Sequence, residues 1–183
     1  QDTVDGLRRE GALEQLRYRS KCFIIFQEQG GVDLLFFIVY VQEFGDDSGY
    51  PNARSVYLSY LDSVQYFRPT SLRTPFYHQV LMAYLEEARR RGFLQMVLWA
   101  CPPEKGDEYI FHTHPESQKT PRAENLRKWY LDMFRKSYLK DSGVCRAVHL
   151  GDSTFPDVGG VEGGLLGRVL DLPIYEGDYW PNE

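Results

Sequence analysis

Cysteine is scarce in this chain: Cys22, Cys101 and Cys145 are the only three among 183 residues, and they stand far apart. An odd, widely spaced set excludes a secreted disulfide framework and fits a reducing compartment. Positive charge is also in deficit, with 21 Lys and Arg against 26 Asp and Glu and a formal net charge of -5. A broad interface with a phosphate backbone normally carries a basic excess, so direct nucleic-acid binding is not expected, whereas basic, lysine-rich partners are compatible. Long apolar runs are missing too. The longest, Val32 to Val41, is interrupted by Asp33 and is about half of what a bilayer-spanning helix needs, so no membrane span is expected. The first twenty residues alternate charged and apolar types and lack the continuous apolar core of a secretory signal.

Aromatic side chains, by contrast, are plentiful, with 13 Tyr, 11 Phe and 3 Trp. They suit a deep ligand channel and a thick core equally well. The length predicts one domain with a core large enough to need no covalent staple. Residues 22–28 and 32–44 are β-branched and aromatic runs separated by Gln29-Gly30-Gly31, which predicts a hairpin whose second strand is buried on both faces. Residues 55–64 predict a third strand, with Val56, Leu58 and Tyr60 on one face and Tyr57, Ser59 and Leu61 on the other. Thr74 before Pro75 reads as an N-cap. The helix that follows carries Tyr77, Val80, Leu81, Tyr84 and Leu85 at helical spacing and ends in Arg89-Arg90-Arg91 and Gly92.

Residues 93–101 predict a buried strand stopped by Pro102-Pro103, and a long loop with a strand-like insert at 109–113 runs on to Pro121. Loops of this length are commonly binding loops. A second helix places Leu126, Trp129, Tyr130, Met133, Phe134 and Tyr138 on one stripe. Residues 140–168 hold little pattern and are expected to form a flexible insertion. The order of elements predicts an α/β fold with a mixed central sheet flanked by helices.

Arg73 stands where a guanidinium meets a helix start, whose open N–H groups and dipole favour anions. It reads either as a phosphate contact or as a solvated cation beside a capped helix. His112 and His114 with Cys101 lack the paired ligand spacing of a zinc site, so no metal is predicted and the histidines read as loop-shaping donors. Cys101 could act as a nucleophile only beside a base and an orienting group, and the sequence identifies neither.

Five blocks in order, YLSYLDSVQYFRP (57–69), LRTPFYHQVLMAYLE (72–86), LWACPPEKGDEYIFHTHPESQKTP (98–121), LRKWYLDMFRKS (126–137) and LPIYEGDYWPN (172–182), closely resemble the catalytic domain of the CREB-binding-protein type of histone acetyltransferase. The YRSKC segment at Tyr18 is similar to its plant branch. The resemblance implies an acetyltransferase fold over residues 1–183, itself a fragment of a longer catalytic domain, with 102–121 as a substrate-binding loop. It further implies acetyl-CoA as cosubstrate and transfer of acetyl groups to lysines of histone tails and other nuclear proteins in transcriptional activation. The nucleus and transcription-factor partners, recruited through regions outside this chain, follow from the same likeness. Residues that would contact the cosubstrate are Leu61, Asp62, Ser63, Arg73, Thr74, Thr120 and Trp129. Tyr130 would be the general acid, and Trp99 would line the lysine tunnel. Asn125 stands where the family usually has a basic residue, which motivates a second reading: a catalytically weakened acetyl-CoA-binding or docking module.

Overall fold

The computed structural model describes residues 17–103, 110–139 and 147–149. Five strands lie in sequence order in one sheet: β1 (Arg19–Gln29), β2 (Val32–Phe44), β3 (Ser55–Ser63), β4 (Gln95–Leu98) and β5 (Ala147–His149). The first three pair antiparallel and the last two join in parallel. Parallel neighbours require crossovers, and α1 (Arg73–Arg90) and α2 (Ala123–Leu139) lie in them. The expected mixed sheet with helices is therefore present. The expectation for 140–168 falls outside the described residues except at Ala147–His149, which form β5.

Gly30 and Gly31 both take positive φ, 61° and 81°, the two-residue turn whose twist matches an antiparallel hairpin. β2 is central, and Phe36 to Val39 and Val41 to Phe44 are buried without alternation. Two irregularities of pairing arrange this burial. Between Ile25 and Phe26 the partner on β2 jumps from Phe37 to Leu35, leaving Phe36 unopposed, and both Phe36 and Phe37 enter the main core. Between Tyr40 and Val41 the partner on β3 jumps from Tyr60 to Leu58, leaving Ser59 as the extra residue of a bulge.

This second bulge corrects the face assignment made from strict alternation. Val56 and Leu58 share one face as expected, which meets the main core, but beyond Ser59 the parity is reversed: Tyr60 is exposed, and Leu61 packs against the core. The strand after α1 is also shorter than expected, with only Gln95–Leu98 paired. Ile110–His112 form bends rather than the predicted strand.

Helix α1 starts one residue before the predicted cap. Its N-cap is Leu72, with no side-chain cap bond, because a short 3₁₀ turn at Thr70–Leu72 runs directly into it. Thr74 and Pro75 therefore lie inside the first turn. The other end is as expected. Gly92 sits at φ 93° and donates to the Arg89 carbonyl while Phe93 donates to Ala88, so glycine satisfies two terminal carbonyls in a conformation that a Cβ would strain. Tyr77, Leu81, Met82, Tyr84, Leu85 and Ala88 fill one side of the core, and Tyr130 and Met133 of α2 join them.

A buried charge ties this helix to the sheet. Glu43 of β2 accepts from Arg91 Nη1 at 2.7 Å, from Lys21 Nζ at 3.0 Å and from Tyr84 Oη at 3.0 Å. Burial alone would raise its pKa, but hydrogen bonds from Arg91, Lys21 and Tyr84 outweigh that and bring it down to about 2. Tyr84 is correspondingly raised, chiefly by burial and then by the Glu43 charge.

We expect Glu43→Gln to lower stability at pH 7 by about 1–3 kcal/mol, because hydrogen-bonded charges lose a partner of that worth. A carboxylate whose folded pKa lies below its unfolded value of about 4.3 stabilises above that value and loses the contribution as pH falls toward 2. The gap between wild type and variant should close over that window in urea titrations. A gap independent of pH would show that the Glu43 charge contributes nothing.

Candidate active site

The bulge at Ser59 sends Leu61 and Ser63 toward the helices and Asp62 the other way. On the helix side, Ser63 meets the first turns of α1. Tyr77, 6% exposed, stacks on Phe37 with ring centroids 4.3 Å apart. Burial raises the Tyr77 pKa, and the Ser63 hydroxyl and Arg73 guanidinium nearby oppose that rise. Yet the Tyr77 hydroxyl has no hydrogen-bond partner among the described residues. A buried polar atom without a partner is rare, because the lost hydration costs roughly 1–3 kcal/mol. It stands near a serine hydroxyl and a guanidinium, donors suited to an anionic or strongly accepting ligand.

On the other side, Asp62 is 8% exposed and its carboxylate is engaged by the loop. Oδ2 accepts the Phe111 N–H at 2.9 Å, and Oδ1 lies 2.8 Å from His114 Nε2 and accepts the Ser63 N–H at 2.7 Å. Gln118 donates to the Ser63 carbonyl at 2.7 Å and accepts the Gln65 N–H at 2.9 Å. Residues 62–65 and 111–118 are thus sewn together.

Helix α2 brings the aromatic pair. The Trp129 and Tyr130 rings meet edge to face at 5.0 Å, Tyr130 is buried, and Trp129 packs partly into the main core. Across from them His78 of α1 is 1% exposed and meets the Trp129 ring at 4.4 Å. Lys136 donates to its Nδ1 at 3.1 Å, and Nε2 has no partner among the described residues. Burial, reinforced by the Lys136 charge, pushes the His78 pKa down to about 4, so the ring is neutral at pH 7.

The structure therefore gathers Leu61, Asp62, Ser63 and Arg73 around the end of β3 and places Trp129 and Tyr130 side by side. Thr74 is exposed in the first turn of α1, and Thr120 is exposed just ahead of α2. Trp99 is separate: with Phe44, Tyr57, Val97 and Tyr18 it forms a small cluster on the face opposite to Met96 and Leu98. Sequence reasoning missed Tyr77, His78 and Gln118, whereas His114 is the loop-shaping hydrogen-bonding histidine it expected, with Asp62 as its partner. For His78 a signal existed, since it follows Tyr77 on the apolar side of α1. For Gln118 there was none, since it acts through contacts to residues more than fifty positions away.

A family model described as the histone acetyltransferase domain KAT3 matches residues 8–183. The chain is 45% identical over 186 residues to Histone acetyltransferase HAC4 of Arabidopsis thaliana, covering 98% of this chain and 12% of that protein. It is 47% identical over 171 residues to Probable histone acetyltransferase HAC-like 1 of Oryza sativa subsp. japonica, with 90% and 10% covered. Protein cbp-1 of Caenorhabditis elegans is 41% identical over 170 residues, with 92% and 8% covered. The chain thus spans only a small part of the length of these relatives.

The buried neutral His78 makes a prediction about acid. Its folded pKa of about 4 lies below the unfolded value of about 6.5, so the unfolded chain binds the proton first and stability rises with pH between those values. Relative to His78→Gln, wild type should lose of order 3 kcal/mol as pH falls from 6.5 to 4. Denaturation midpoints of both proteins across that range measure it. Parallel profiles would mean that His78 protonates without cost.

Proposed function

The chain belongs to the KAT3 histone acetyltransferase family, and we propose on that premise that it transfers the acetyl group of acetyl-CoA to lysine side chains of histone tails and other nuclear proteins. The mixed sheet with its flanking helices is read as the acetyltransferase fold, and residues 102–121 as the substrate-binding loop. The observation that carries the cosubstrate assignment is the gathering of the Ser63 and Tyr77 hydroxyls and the Arg73 guanidinium at the start of α1. Those donors fit a phosphate-bearing ligand.

Bound there, acetyl-CoA supplies an acyl thioester that a neutral amine can attack. The Arg73 and Ser63 side chains would hold its phosphates, with Leu61, Asp62, Thr74, Thr120 and Trp129 as further neighbours. Tyr130 is the general acid. A phenol of intrinsic pKa about 10 is protonated at neutral pH and can donate to a departing thiolate. Trp99 is assigned to the lysine tunnel. The lysine itself has an intrinsic pKa of about 10.4 and is neutral in roughly one molecule in 2,500 at pH 7, so desolvation must favour its neutral form. Attack is direct, without an acetyl-enzyme intermediate.

A net charge of -5 suits basic substrate tails, whose encounter a complementary field accelerates. Nuclear location and recruitment by transcription factors belong to the same reading. The second reading, a weakened acetyl-CoA-binding module, rests on Asn125, which is exposed in the first turn of α2. Exposed Arg122, Arg127 and Lys128 stand close in sequence and can supply the charge that Asn125 lacks. Incubation with labelled acetyl-CoA and a histone-tail peptide separates the two: label on the peptide supports transfer, and cosubstrate binding without transfer supports the module.

Tyr130→Phe should retain the fold and acetyl-CoA affinity while lowering turnover about 10²–10⁴-fold, the usual worth of a general acid. Rapid-quench kinetics under conditions where chemistry limits the rate measure this; wild-type turnover would remove Tyr130 from the chemistry. Arg73→Ala should weaken acetyl-CoA by about 1.5–3 kcal/mol and a phosphate-free analogue hardly at all. Calorimetry with both ligands decides, and equal losses would return Arg73 to the role of a solvated cation at a helix start.

A further inference from the structure

We propose that His114 is a positioning residue for the acetyl-transfer site, and that Asp62 acts through it by fixing the 110–121 segment rather than by presenting its carboxylate to the cosubstrate. The inference rests on the functional reading above. Its starting point is the use to which the Asp62 oxygens are put. Oδ2 is taken by the Phe111 N–H at 2.9 Å, and Oδ1 by His114 Nε2 at 2.8 Å and the Ser63 N–H at 2.7 Å. A carboxyl group 8% exposed and already facing these three groups has little capacity left for a ligand.

Each contact joins a different part of the site. The Ser63 bond fixes the carboxylate on β3, beside the hydroxyl assigned to the cosubstrate. The Phe111 bond fixes the entering end of the segment, whose ring packs on the main core. His114 supplies the next anchor, and its ring lies edge-on to Phe111 with centroids 6.1 Å apart. Gln118 then bonds the Ser63 carbonyl and the Gln65 N–H, and Ser117 bonds Gln65. Thr120 and helix α2, with Trp129 and Tyr130, follow immediately. His114 is the one anchor in this series held by a side chain on both partners and directed at a carboxylate. Bonds to a charged group outweigh neutral ones, so its loss should loosen the segment more than loss of any single neutral bond.

The test uses the 183-residue chain with two substitutions. His114→Phe keeps a ring beside Phe111 and removes the nitrogen; His114→Gln places an amide N–H near the position of Nε2 and should rescue. Limited trypsin digestion reads the segment directly, because Lys119 and Arg122 are exposed at its far end. Cleavage there should accelerate about tenfold in His114→Phe and remain near wild type in His114→Gln, since proteolysis follows the open population when reclosing is fast. In parallel, KM for acetyl-CoA should rise about tenfold in His114→Phe, with kcat within threefold of wild type. A merely structural role would lower the melting temperature without this split. Unchanged cleavage, or accelerated cleavage with unchanged KM, overturns the proposal. Failure of the wild-type chain to bind or transfer acetyl would instead overturn the acetyltransferase reading, and the digestion would still decide whether His114 holds the segment.

Discussion

The single extra residue in β3 sets where everything in the site points. Without the bulge at Ser59, strict alternation would place Leu61 and Ser63 on the face carrying Tyr57, away from α1, and would put Asp62 toward the helices. A slip of one residue inverts every later side chain of a strand. With the bulge, Leu61 joins the core beneath the helices, Ser63 meets Tyr77 and Arg73, and Asp62 turns to the loop that bonds it. Three consecutive residues thereby serve three surroundings. That division lets one strand end carry both a hydroxyl beside Tyr77 and a carboxylate that anchors the Phe111–His114 stretch.

A donor-rich helix start is useful only if the helix is held elsewhere. Helix α1 is fixed at its far end, where Gly92 closes the backbone and Arg91 reaches the buried Glu43, and along its length by core packing. Its first turn carries no side-chain cap bond, the Arg73 N–H goes to the Thr70 carbonyl and Pro75 has no N–H, so the donor proposed for a ligand at this end is the Arg73 side chain. Tyr77 divides in the same way, its ring stacking on Phe37 in the core while its hydroxyl lies near Ser63 and Arg73. Stability is concentrated at one end of the helix and recognition at the other.

Much of the fold was legible in the sequence because its signals are local. Paired glycines gave the hairpin, a continuous apolar run gave the central strand, and Arg89 to Gly92 gave the end of α1. What failed was whatever depends on a neighbouring strand or turn. The bulge cannot be read from β3 alone, since Ser59 is extra only relative to β2, and so Tyr60 and Leu61 were put on the wrong faces. Thr74 looked like a cap because Thr-Pro often starts a helix, but the 3₁₀ turn upstream had already started it. Resemblance supplied the residues around β3 and α2, whereas the contacts that hold them join distant segments: His114 reads as a loop-shaping donor without disclosing Asp62 as its partner, and Gln118 leaves no pattern in a single sequence.

The same contacts bear on how the reaction can manage its proton. Glu43 and Asp62 are the buried acidic side chains among the described residues, and each is already committed. Glu43 accepts from Arg91, Lys21 and Tyr84 and lies on the sheet beside the far end of α1. Asp62 is occupied by Phe111, Ser63 and His114. Both carboxylates are thus occupied in holding the surrounding segments together. His78, neutral at pH 7, is 1% exposed, with one nitrogen on Lys136, and protonating it would set two cations side by side. On the proposed reading, the amine arrives neutral through desolvation, its proton leaves to solvent, and Tyr130 serves the leaving group. Buried carboxylates here hold segments in place, and the proposed reading leaves the proton transfer to the Tyr130 phenol.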